Sequence, residues 1–372
     1  MKINFKELSQ EKTALFINKL GQKPYRAKQV TTWIYKKLAS SFDEMTDLPI
    51  ELREELNKSA FISNLNLLQE QISTDGTRKF LFQLEDGEAI ESVLIPSTRG
   101  ENKFTLCISS QVGCALGCVF CATGKLGFKR NLRAYEIVDQ VIAVKRIISN
   151  PPTPPFSKGG QGGIIRGDLL QPSISNIVFM GMGEPLNNFN EVVEALLKIT
   201  ELMDFPGRRI TVSTAGIVPN IYKLAEKVPD INLAISLNAT TDETRNRVMP
   251  VNRKYPLNEL LKACKKFPLA SRRSITFEYV LLDGINDTKE DALRLIKLLR
   301  GIRSKVNLIP YNPPSPKKPL QLFRQPSGKK ILEFQSILHK AGIIAIIRKS
   351  MGADISAACG QLKATYSIKN DQ

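Results

Sequence analysis

The sequence predicts an α/β protein built around a parallel β-sheet, either open or rolled into a barrel. One observation is a series of short apolar runs typical of buried strands, at residues 105–109, 176–180, 209–213, 232–237, 275–282 and 305–310. The other is the helical spacing of apolar residues in the stretches between them, at residues 134–149, 190–203, 219–228, 257–267 and 288–301. Strands that alternate with helices favour parallel pairing. Such sheets carry their functional groups at the carboxyl ends of the strands.

The N-terminal segment predicts helices with basic outer faces. Ser9 is a suitable N-cap for the first of them, and Gly21 ends it. The predicted helices cover residues 9–20, 25–39 and 48–60. From residue 66 to 95 the pattern changes to short alternating runs, separated by Asp-Gly pairs at 75–76 and 86–87, which predicts β-hairpins.

These patterns divide the chain into four predicted segments. They are a helical N-terminal accessory domain (1–62), a β-hairpin extension (63–100), a main α/β domain (101–349) and a C-terminal tail (350–372). Within the main domain, residues 151–173 include a Pro- and Gly-rich stretch, which predicts a flexible surface insertion without a catalytic role. The strand-like run at 343–349 predicts a closing strand just before the tail.

Composition excludes several classes of protein. The 372 residues are 42% hydrophobic and 24% charged, which fits a globular chain and excludes disordered and collagen-like proteins. No apolar stretch approaches the roughly 20 residues that a membrane-spanning helix needs. Charges interrupt the first apolar positions, which is not the pattern of a signal peptide, so we expect a cytoplasmic protein with no membrane partner.

The charge balance indicates a polyanionic partner. Lys and Arg outnumber Asp and Glu by 53 to 36, which leaves a formal net charge of +17. Such an excess gains affinity for nucleic acid through counterion release. The alternative is a soluble protein that is merely basic. The single histidine, His339, excludes schemes that need a pair of histidines or a histidine-based metal site.

Three of the six cysteines form a tight array directly after the first predicted strand of the main domain. Cys114, Cys118 and Cys121 follow a C-x3-C-x2-C spacing, so their thiolates can face one centre. A tetrahedral zinc site normally takes four protein ligands, and no fourth Cys or His lies nearby in the sequence. Three cysteines on a [4Fe–4S] cluster leave one iron open to bind substrate. The alternative is a structural zinc site with Cys359 as a distant fourth ligand.

Polar and small residues follow the later predicted strands. Gly183 lies in a glycine-rich turn that permits close approach of the backbone, and Glu184 beside it is a carboxylate placed to meet an ammonium group. Taken singly, the remaining strand-end residues are more often turn or capping residues. They are Ser213, Ser236, Leu237, Asn238 and Asn312.

The array and the strand-end motifs resemble the signature of the radical S-adenosylmethionine (radical SAM) enzymes. The closer resemblance, over nearly the whole chain, is to the bacterial adenine-C2 methyltransferases of 23S ribosomal RNA and tRNA. The matching motifs are GQKPYRAKQV (21–30), SSQVGCALGC (109–118), GFKRNL (127–132), MGMGEPL (180–186), NLIPYNP (307–313) and AACGQL (357–362). The resemblance implies a partial (β/α)6 radical SAM barrel with a small helical N-terminal domain and a short β extension.

The resemblance also implies cofactors and partners. A [4Fe–4S] cluster would be held by the three array cysteines, and SAM, used twice per turnover, would contact the strand-end residues from Gly183 to Asn312. The substrates would be 23S rRNA and tRNA, met by the basic N-terminal domain and by residues 127–130. A flavodoxin-like donor would supply the electron, and the protein would act as a monomer.

Three further residues receive roles from the resemblance. Cys359 would be methylated first, its thiolate acting as nucleophile. A 5′-deoxyadenosyl radical would then remove hydrogen from that methyl group, and the resulting carbon radical would add to C2 of the adenine. Cys107 would attack the Cys359 sulfur, and this transient disulfide would release the base. Glu91 would accept the C2 proton. From the residues alone, Cys107 also fits a buried core cysteine, Glu91 an exposed strand carboxylate, and Cys264 a core residue.

The chain departs from the resembling family at two places, and two rival functions stay open. Many relatives have His where this chain has Asn238, and often Arg-Gly-Asp-Asp where it has Met-Gly-Ala-Asp at 351–354. One rival is the related antibiotic-resistance methyltransferase, which modifies C8 of adenine and shares both isolated cysteines. The other is a non-catalytic RNA-binding protein with a structural metal site.

Overall fold

The computed structural model describes residues 2–97, 100, 102–149, 172–313 and 323–364. Most of the predicted insertion at 151–173 therefore lies outside the described residues, as does the tail beyond residue 364. No helix within these ranges is both long and apolar enough to cross a membrane.

Helices dominate the N-terminal segment, as the sequence predicts. They are α1 (Gln10–Lys19), α2 (Tyr25–Tyr35) and α3 (Ile50–Ser59). Ser9 caps α1, because its hydroxyl oxygen accepts a hydrogen bond of 3.2 Å from the backbone N–H of Lys12. A short parallel pair, β1 (Ile3–Asn4) and β2 (Ala60–Phe61), joins the two ends of the segment.

Antiparallel strands follow, with turns at the predicted Asp-Gly pairs. They are β3 (Asn66–Ile72), β4 (Arg78–Gln83) and β5 (Ala89–Pro96). The hairpins predicted for residues 66–95 are therefore confirmed.

The rest of the chain alternates strands with helices. The strands are β6 (Lys103–Cys107), β7 (Gln111–Gly113), β8 (Phe128–Asn131), β9 (Ser173–Phe179), β10 (Ile210–Thr214), β11 (Asn232–Ser236), β12 (Ile275–Leu281), β13 (Ser304–Pro310) and β14 (Ile344–Ile347). The helices are α4 (Ala122–Lys125), α5 (Ala134–Ser149), α6 (Phe189–Leu197), α7 (Val218–Lys227), α8 (Asp242–Val248), α9 (Leu257–Lys266), α10 (Lys289–Leu298) and α11 (Gly328–Lys340).

One sheet runs through the extension and the main domain in the order β3, β4, β5, β6, β9, β10, β11, β12, β13, β14. Neighbours from β6 to β14 are parallel, and those from β3 to β6 are antiparallel. Its edge strands β3 and β14 do not pair with each other, so the sheet is open. This is the α/β architecture that the sequence predicts, with the predicted closing strand β14 as the last parallel strand.

The sequence missed β1, β2, β7, β8, α4, α8 and α11. The hairpin of β7 and β8 has strands too short to show a period, and α8 spans only Asp242–Val248. Both elements nevertheless shape the site, because they flank the cysteine array.

Strand register decides which residues share the face of the sheet that carries the site. Tyr279 of β12 packs its ring 5.5 Å from that of Phe334 on α11, so the adjacent Glu278 points to the opposite face. Glu278 pairs with Ser236, and the alternation continues across the sheet. The residues on this inner face include Glu91, Val93, Cys107, Ser213, Ser236 and Glu278.

Candidate active site

The array cysteines lie on a loop between β7 and α4 that the β7–β8 hairpin closes. The N–H of Cys114 donates to the carbonyl oxygen of Gly127 at 2.8 Å. Gly113 has φ of +76°, and a Cβ at this position would lie 2.0 Å from the same oxygen. Only glycine fits there, so the local sequence fixes the start of the loop.

The thiols of the array share one small, partly buried volume. Burial raises the pKa of Cys114 to about 12, and the charges of Glu184 and Cys121 also raise it. Burial likewise raises the pKa of Cys118, and the charges of Cys121 and Cys114 raise it further. Because neighbouring thiolates repel one another, the array needs a positive centre to hold all three sulfurs ionised.

This donor set fits an iron–sulfur cluster better than a single zinc ion. Thiolates select zinc or iron–sulfur clusters. Across the part of the chain that the structure describes, no three His, Cys, Asp or Glu side chains surround one ion position, as structural zinc requires. Cysteines that hold a cluster bind different irons, so their sulfurs stand further apart. The zinc alternative with Cys359 is therefore not favoured.

The glycine-rich turn places a buried carboxylate beside the array. Gly183 has φ of +98°, and a Cβ there would lie 2.5 Å from the Cβ of Gln111. Glu184 accepts hydrogen bonds from the N–H groups of Leu186 at 3.0 Å and Ala215 at 2.8 Å. Burial raises the pKa of Glu184, while these hydrogen bonds lower it. The turn thus holds Glu184 where β9 and β10 end.

The other strand-end residues take different positions. Ser213 and Ser236 face the inner side of the sheet, as their register requires. Leu237 is fully buried. The side-chain oxygen of Asn312 accepts a hydrogen bond of 2.6 Å from the hydroxyl of Ser350, at the start of the tail.

Asn238 is held by its neighbours. Its φ of +57° is a conformation that Asn tolerates better than most residues. Its Oδ1 accepts from the N–H of Val280 at 2.8 Å, and its carbonyl oxygen accepts from the side chain of Asn286 at 2.8 Å. Asn238 therefore connects the end of β11 to β12.

The C-terminal tail folds back over the cysteine loop. The N–H of Ala122 donates to the carbonyl oxygen of Gly360 at 2.7 Å. The hydroxyl of Thr123 donates to the carbonyl oxygen of Leu362 at 2.6 Å. Both donors belong to α4, directly after Cys121. The tail residue Cys359 is therefore fixed beside the array.

The tail is also attached to the turn between β3 and β4. The N–H of Gly352 donates to Oδ2 of Asp75 at 2.8 Å, and the hydroxyl of Ser73 donates to Asp354 at 2.6 Å. This turn was predicted only as a connection, and its contact with a segment nearly 300 positions later shows no local sequence signal.

Tail docking brings Cys359 close to Cys107. Cys107 lies in a small apolar cluster with Ala357 and Leu362 of the tail. Burial raises the pKa of the Cys107 thiol, and the charge of Cys359 raises it further. Cys359 is exposed to solvent, although the surrounding protein raises its pKa to about 11 through desolvation.

Glu91 contacts the same tail. It is only 5% exposed, so the interpretation as an exposed strand carboxylate is wrong. Its Oε1 lies 3.1 Å from Nζ of Lys79, and its Oε2 accepts a hydrogen bond of 2.8 Å from the N–H of Lys363.

Lys79 is a site residue that sequence reasoning missed. Besides Glu91, its Nζ donates to the carbonyl oxygen of Ser356 in the tail at 3.4 Å. A signal existed, because Lys79 alternates with the buried Phe80 and Phe82 and therefore faces the inner side of the sheet.

The positive charges of the basic segment 127–130 are paired with acidic side chains of the same protein. Nζ of Lys129 lies 2.8 Å from Glu88, and Arg130 pairs with Asp86 at 2.6 Å and Glu136 at 2.8 Å. Part of its charge is therefore balanced within the protein.

Comparison with known proteins decides the family. Residues 3–62 match the ribosomal RNA large subunit methyltransferase N-terminal domain, and residues 168–296 match the radical SAM superfamily. The dual-specificity RNA methyltransferase RlmN of Geobacter sulfurreducens is 50% identical over 363 residues, 97% of this chain and 92% of that protein. The RlmN of Syntrophotalea carbinolica is 47% identical over 369 residues, 99% of this chain and 91% of that protein. The chain belongs to the RlmN family.

A solved structure agrees with this membership. The crystal structure of a radical SAM methyltransferase from Sphaerobacter thermophilus superposes with a TM-score of 0.85 and 41% identity, covering 98% of this chain and 100% of that one. The RlmN-family chain is thus a radical SAM methyltransferase, whose family uses SAM and a [4Fe–4S] cluster. The alternative of a non-catalytic RNA-binding protein is wrong.

Proposed function

We propose that this RlmN-family enzyme methylates C2 of a specific adenine in 23S rRNA and in tRNA, through S-methylation of Cys359 and a transient disulfide between Cys359 and Cys107. The main support for this proposal is the position of the C-terminal tail, which is docked on the cysteine loop. Hydrogen bonds to Ala122 and Thr123 hold Cys359 beside the cysteine loop, and Cys107 lies within its electrostatic reach. Because C2 is an electron-poor carbon without a nucleophilic lone pair, methyl delivery to it calls for radical chemistry.

The array cysteines and the strand-end residues form the cofactor site of the proposal. The [4Fe–4S] cluster and SAM together supply a 5′-deoxyadenosyl radical when bound. Two SAM molecules serve each turnover, one for the methyl group and one for the radical. Glu184, buried beside the array, offers carboxylate oxygens to the SAM ammonium group. The other proposed SAM contacts are Gly183, Ser213, Ser236, Leu237, Asn238 and Asn312.

Cys359 acts first, as a nucleophile. Its thiolate attacks the SAM methyl carbon, so the sulfur–methyl bond forms as the bond to the sulfonium breaks. The exposure of Cys359 supports this role, because the methyl donor and later the RNA base need access to the same sulfur.

Cys107 acts last, as the resolving thiol. Its thiolate attacks the Cys359 sulfur, the S–S bond forms, and the bond from that sulfur to the base-linked carbon breaks. The electron pair passes to this carbon, which takes a proton and becomes the methyl group. Cys107 is buried whereas Cys359 is exposed, so Cys107 does not compete with Cys359 for the methyl group. An external thiol reductant restores both cysteines.

Glu91 acts as the general base that accepts the C2 proton, while the unpaired electron of the base adduct would return to the oxidised iron–sulfur cluster. Its burial and its contact with the tail backbone at Lys363 support this role, because they place a carboxylate next to the segment that carries Cys359. Lys79 supplies the counter-charge that holds the carboxylate in position.

The four predicted segments divide the work in this proposal. Residues 1–62 meet RNA, 63–100 supply Glu91 and the tail-docking turn, 101–349 hold the cofactors, and 350–372 carry Cys359. Exposed lysines on and before α2 support an RNA-facing surface there: Lys23 and Lys28. The enzyme acts as a cytoplasmic monomer that receives its electron from a flavodoxin-like donor.

Nucleoside analysis tests the modified position. After incubation with SAM and a reductant, 23S rRNA and tRNA are digested and compared with 2-methyladenosine and 8-methyladenosine standards. We expect 2-methyladenosine in both RNAs, in line with the dual specificity named for the relatives. Detection of 8-methyladenosine would instead support the antibiotic-resistance type.

Metal analysis tests the cofactor assignment. Anaerobically reconstituted protein is expected to hold about four irons per chain. Cys118→Ala is expected to lose most of this iron, whereas Cys264→Ala, which removes a buried thiol from α9, keeps it. Bound zinc in place of iron contradicts the assignment.

A further inference from the structure

Arg245 on α8 is a fully buried cation with no acidic partner. Its guanidinium donates only to uncharged acceptors, at 2.6 to 3.1 Å: the carbonyl oxygens of Ala215, Ser236 and Leu237, and Oδ1 of Asn252. None of the described Asp or Glu residues forms an ion pair with it. A buried charge without a counter-charge is costly, so the arrangement calls for an anion nearby.

The two titratable side chains outside the array whose charges act on Arg245, Asp242 and Cys264, do not supply that anion. Asp242 reaches Arg245 only through Asn252, whose Nδ2 donates to Asp242 at 2.8 Å, and Asp242 is exposed to solvent, which screens its charge. Cys264 also lies close, but burial raises its pKa to about 12, so it remains an uncharged thiol.

The cysteine loop is the remaining neighbour. The N–H of Val119 donates to the carbonyl oxygen of Val248 at 3.2 Å, so the loop packs on the end of α8, one turn beyond Arg245. Burial lowers the pKa of Arg245 to about 10, and the charge of Cys118 is the largest influence opposing that shift. The guanidinium therefore keeps its charge at neutral pH.

We infer that Arg245 is the counter-charge of the thiolate-bound iron–sulfur cluster and favours its reduced form. Three thiolates leave a cluster of this type with net negative charge, and one electron from an external reductant adds another unit. A fixed cation on the helix against which the cysteine loop packs stabilises the more negative state. The inference depends on the cluster that family membership implies, and not on which adenine carbon is methylated.

A redox titration followed by electron paramagnetic resonance tests the inference. The full chain, reconstituted anaerobically and free of SAM and RNA, is titrated with dithionite. Arg245→Gln is expected to shift the potential in the negative direction and to lower the ratio of reduced to oxidised cluster roughly tenfold at a fixed potential. Arg247→Gln is the matched control, because Arg247 is exposed on the same helix, and it is expected to keep the wild-type potential. Equal potentials for the two variants overturn the inference.

Arg245→Lys separates charge from hydrogen bonding. Lysine keeps the positive charge but cannot reproduce four hydrogen bonds, so the counter-charge role predicts a potential close to that of the wild type. A negative shift in Arg245→Lys as large as in Arg245→Gln indicates a structural role only and overturns the inference. If Arg245→Gln does not fold or holds no cluster, Arg245→Lys is compared with the wild type alone: an unchanged potential supports the inference, and a roughly tenfold lower ratio of reduced to oxidised cluster overturns it. These readouts need no RNA, so they fail or succeed independently of the proposed function.

Discussion

The carboxylate of Glu91 is hydrogen-bonded to the backbone of the C-terminal tail, with 2.8 Å between its Oε2 and the N–H of Lys363. This contact links strand β5 of the extension to the segment that carries Cys359. The same carboxylate pairs with Lys79, whose Nζ also reaches the tail at Ser356. The tail and the proposed base are therefore held as one unit, and displacement of the tail would disturb both.

Replacement of Glu91 by glutamine separates proton removal from tail docking. Glu91→Gln keeps an oxygen that can accept from Lys363 but cannot take the C2 proton. We expect methyl transfer to RNA to fall about 10²- to 10⁴-fold, while methylation of Cys359 continues. The measurement is methyl incorporation from labelled SAM into RNA, with Glu88→Gln as a control because Glu88 pairs with Lys129 instead. Unchanged RNA methylation in Glu91→Gln would remove Glu91 from the reaction.

Cys359 is expected to carry a methyl group in enzyme purified after expression. The reason is that its methylation needs SAM but no RNA, and the docked tail leaves the thiol exposed. Peptide mass spectrometry is expected to find the mass of one added methylene on Cys359 and none on Cys264, which is buried in α9. A methyl group on a different cysteine contradicts the assignment.

Cys107→Ala is expected to trap the protein covalently on its RNA substrate. Without this thiol nothing attacks the Cys359 sulfur, so the base-linked carbon cannot be released. Denaturing gel electrophoresis is expected to show a protein–RNA adduct that RNase shortens. Cys264→Ala provides the matched control and should give no adduct. Turnover by Cys107→Ala without an adduct would show that another group resolves the intermediate.

The parallel sheet was predictable because each strand and each long helix carries a local signal. The apolar runs at residues 232–237 and 275–282 form β11 and β12. The N-cap of α1 was predictable because Ser9 directly precedes a stretch with helical periodicity. The cysteine array was equally local. These features depend only on neighbours in sequence, which periodicity and spacing capture.

The tertiary half of the site was not predictable from local pattern. Lys79 and Glu91 meet only because β4 and β5 pair, and Asp75 meets Gly352 only because the tail returns across the whole chain. Arg245 looks like one more charge on a helix, and its burial without a carboxylate appears only when the strand ends close around it. Long-range contacts of this kind leave no spacing signal.

Acid is expected to weaken tail docking through Asp75. Although burial raises its pKa, the Gly352 N–H and the turn donors of Thr77 lower it to about 2, against 3.8 for an unperturbed carboxyl. The folded chain therefore binds fewer protons than the unfolded chain in this range. The stabilisation is fully present above about pH 4 and is lost as the pH falls through about 2.

Denaturant unfolding of the full chain at pH 7 and at steps from pH 4 to 2 measures this contribution. Asp75→Asn is expected to be less stable than the wild type at pH 7 and to lose less stability on acidification, because amide 75 has no proton to gain. Asp230→Asn is the control, since Asp230 is largely exposed and makes only a distant ion pair with Arg273 at 3.8 Å, so its acid dependence should match the wild type. Parallel pH curves for Asp75→Asn and the wild type would show that the Asp75 carboxylate does not hold the tail, and that the hydrogen bonds donated by the Ala122 N–H and the Thr123 hydroxyl place Cys359 beside the cysteine array without it.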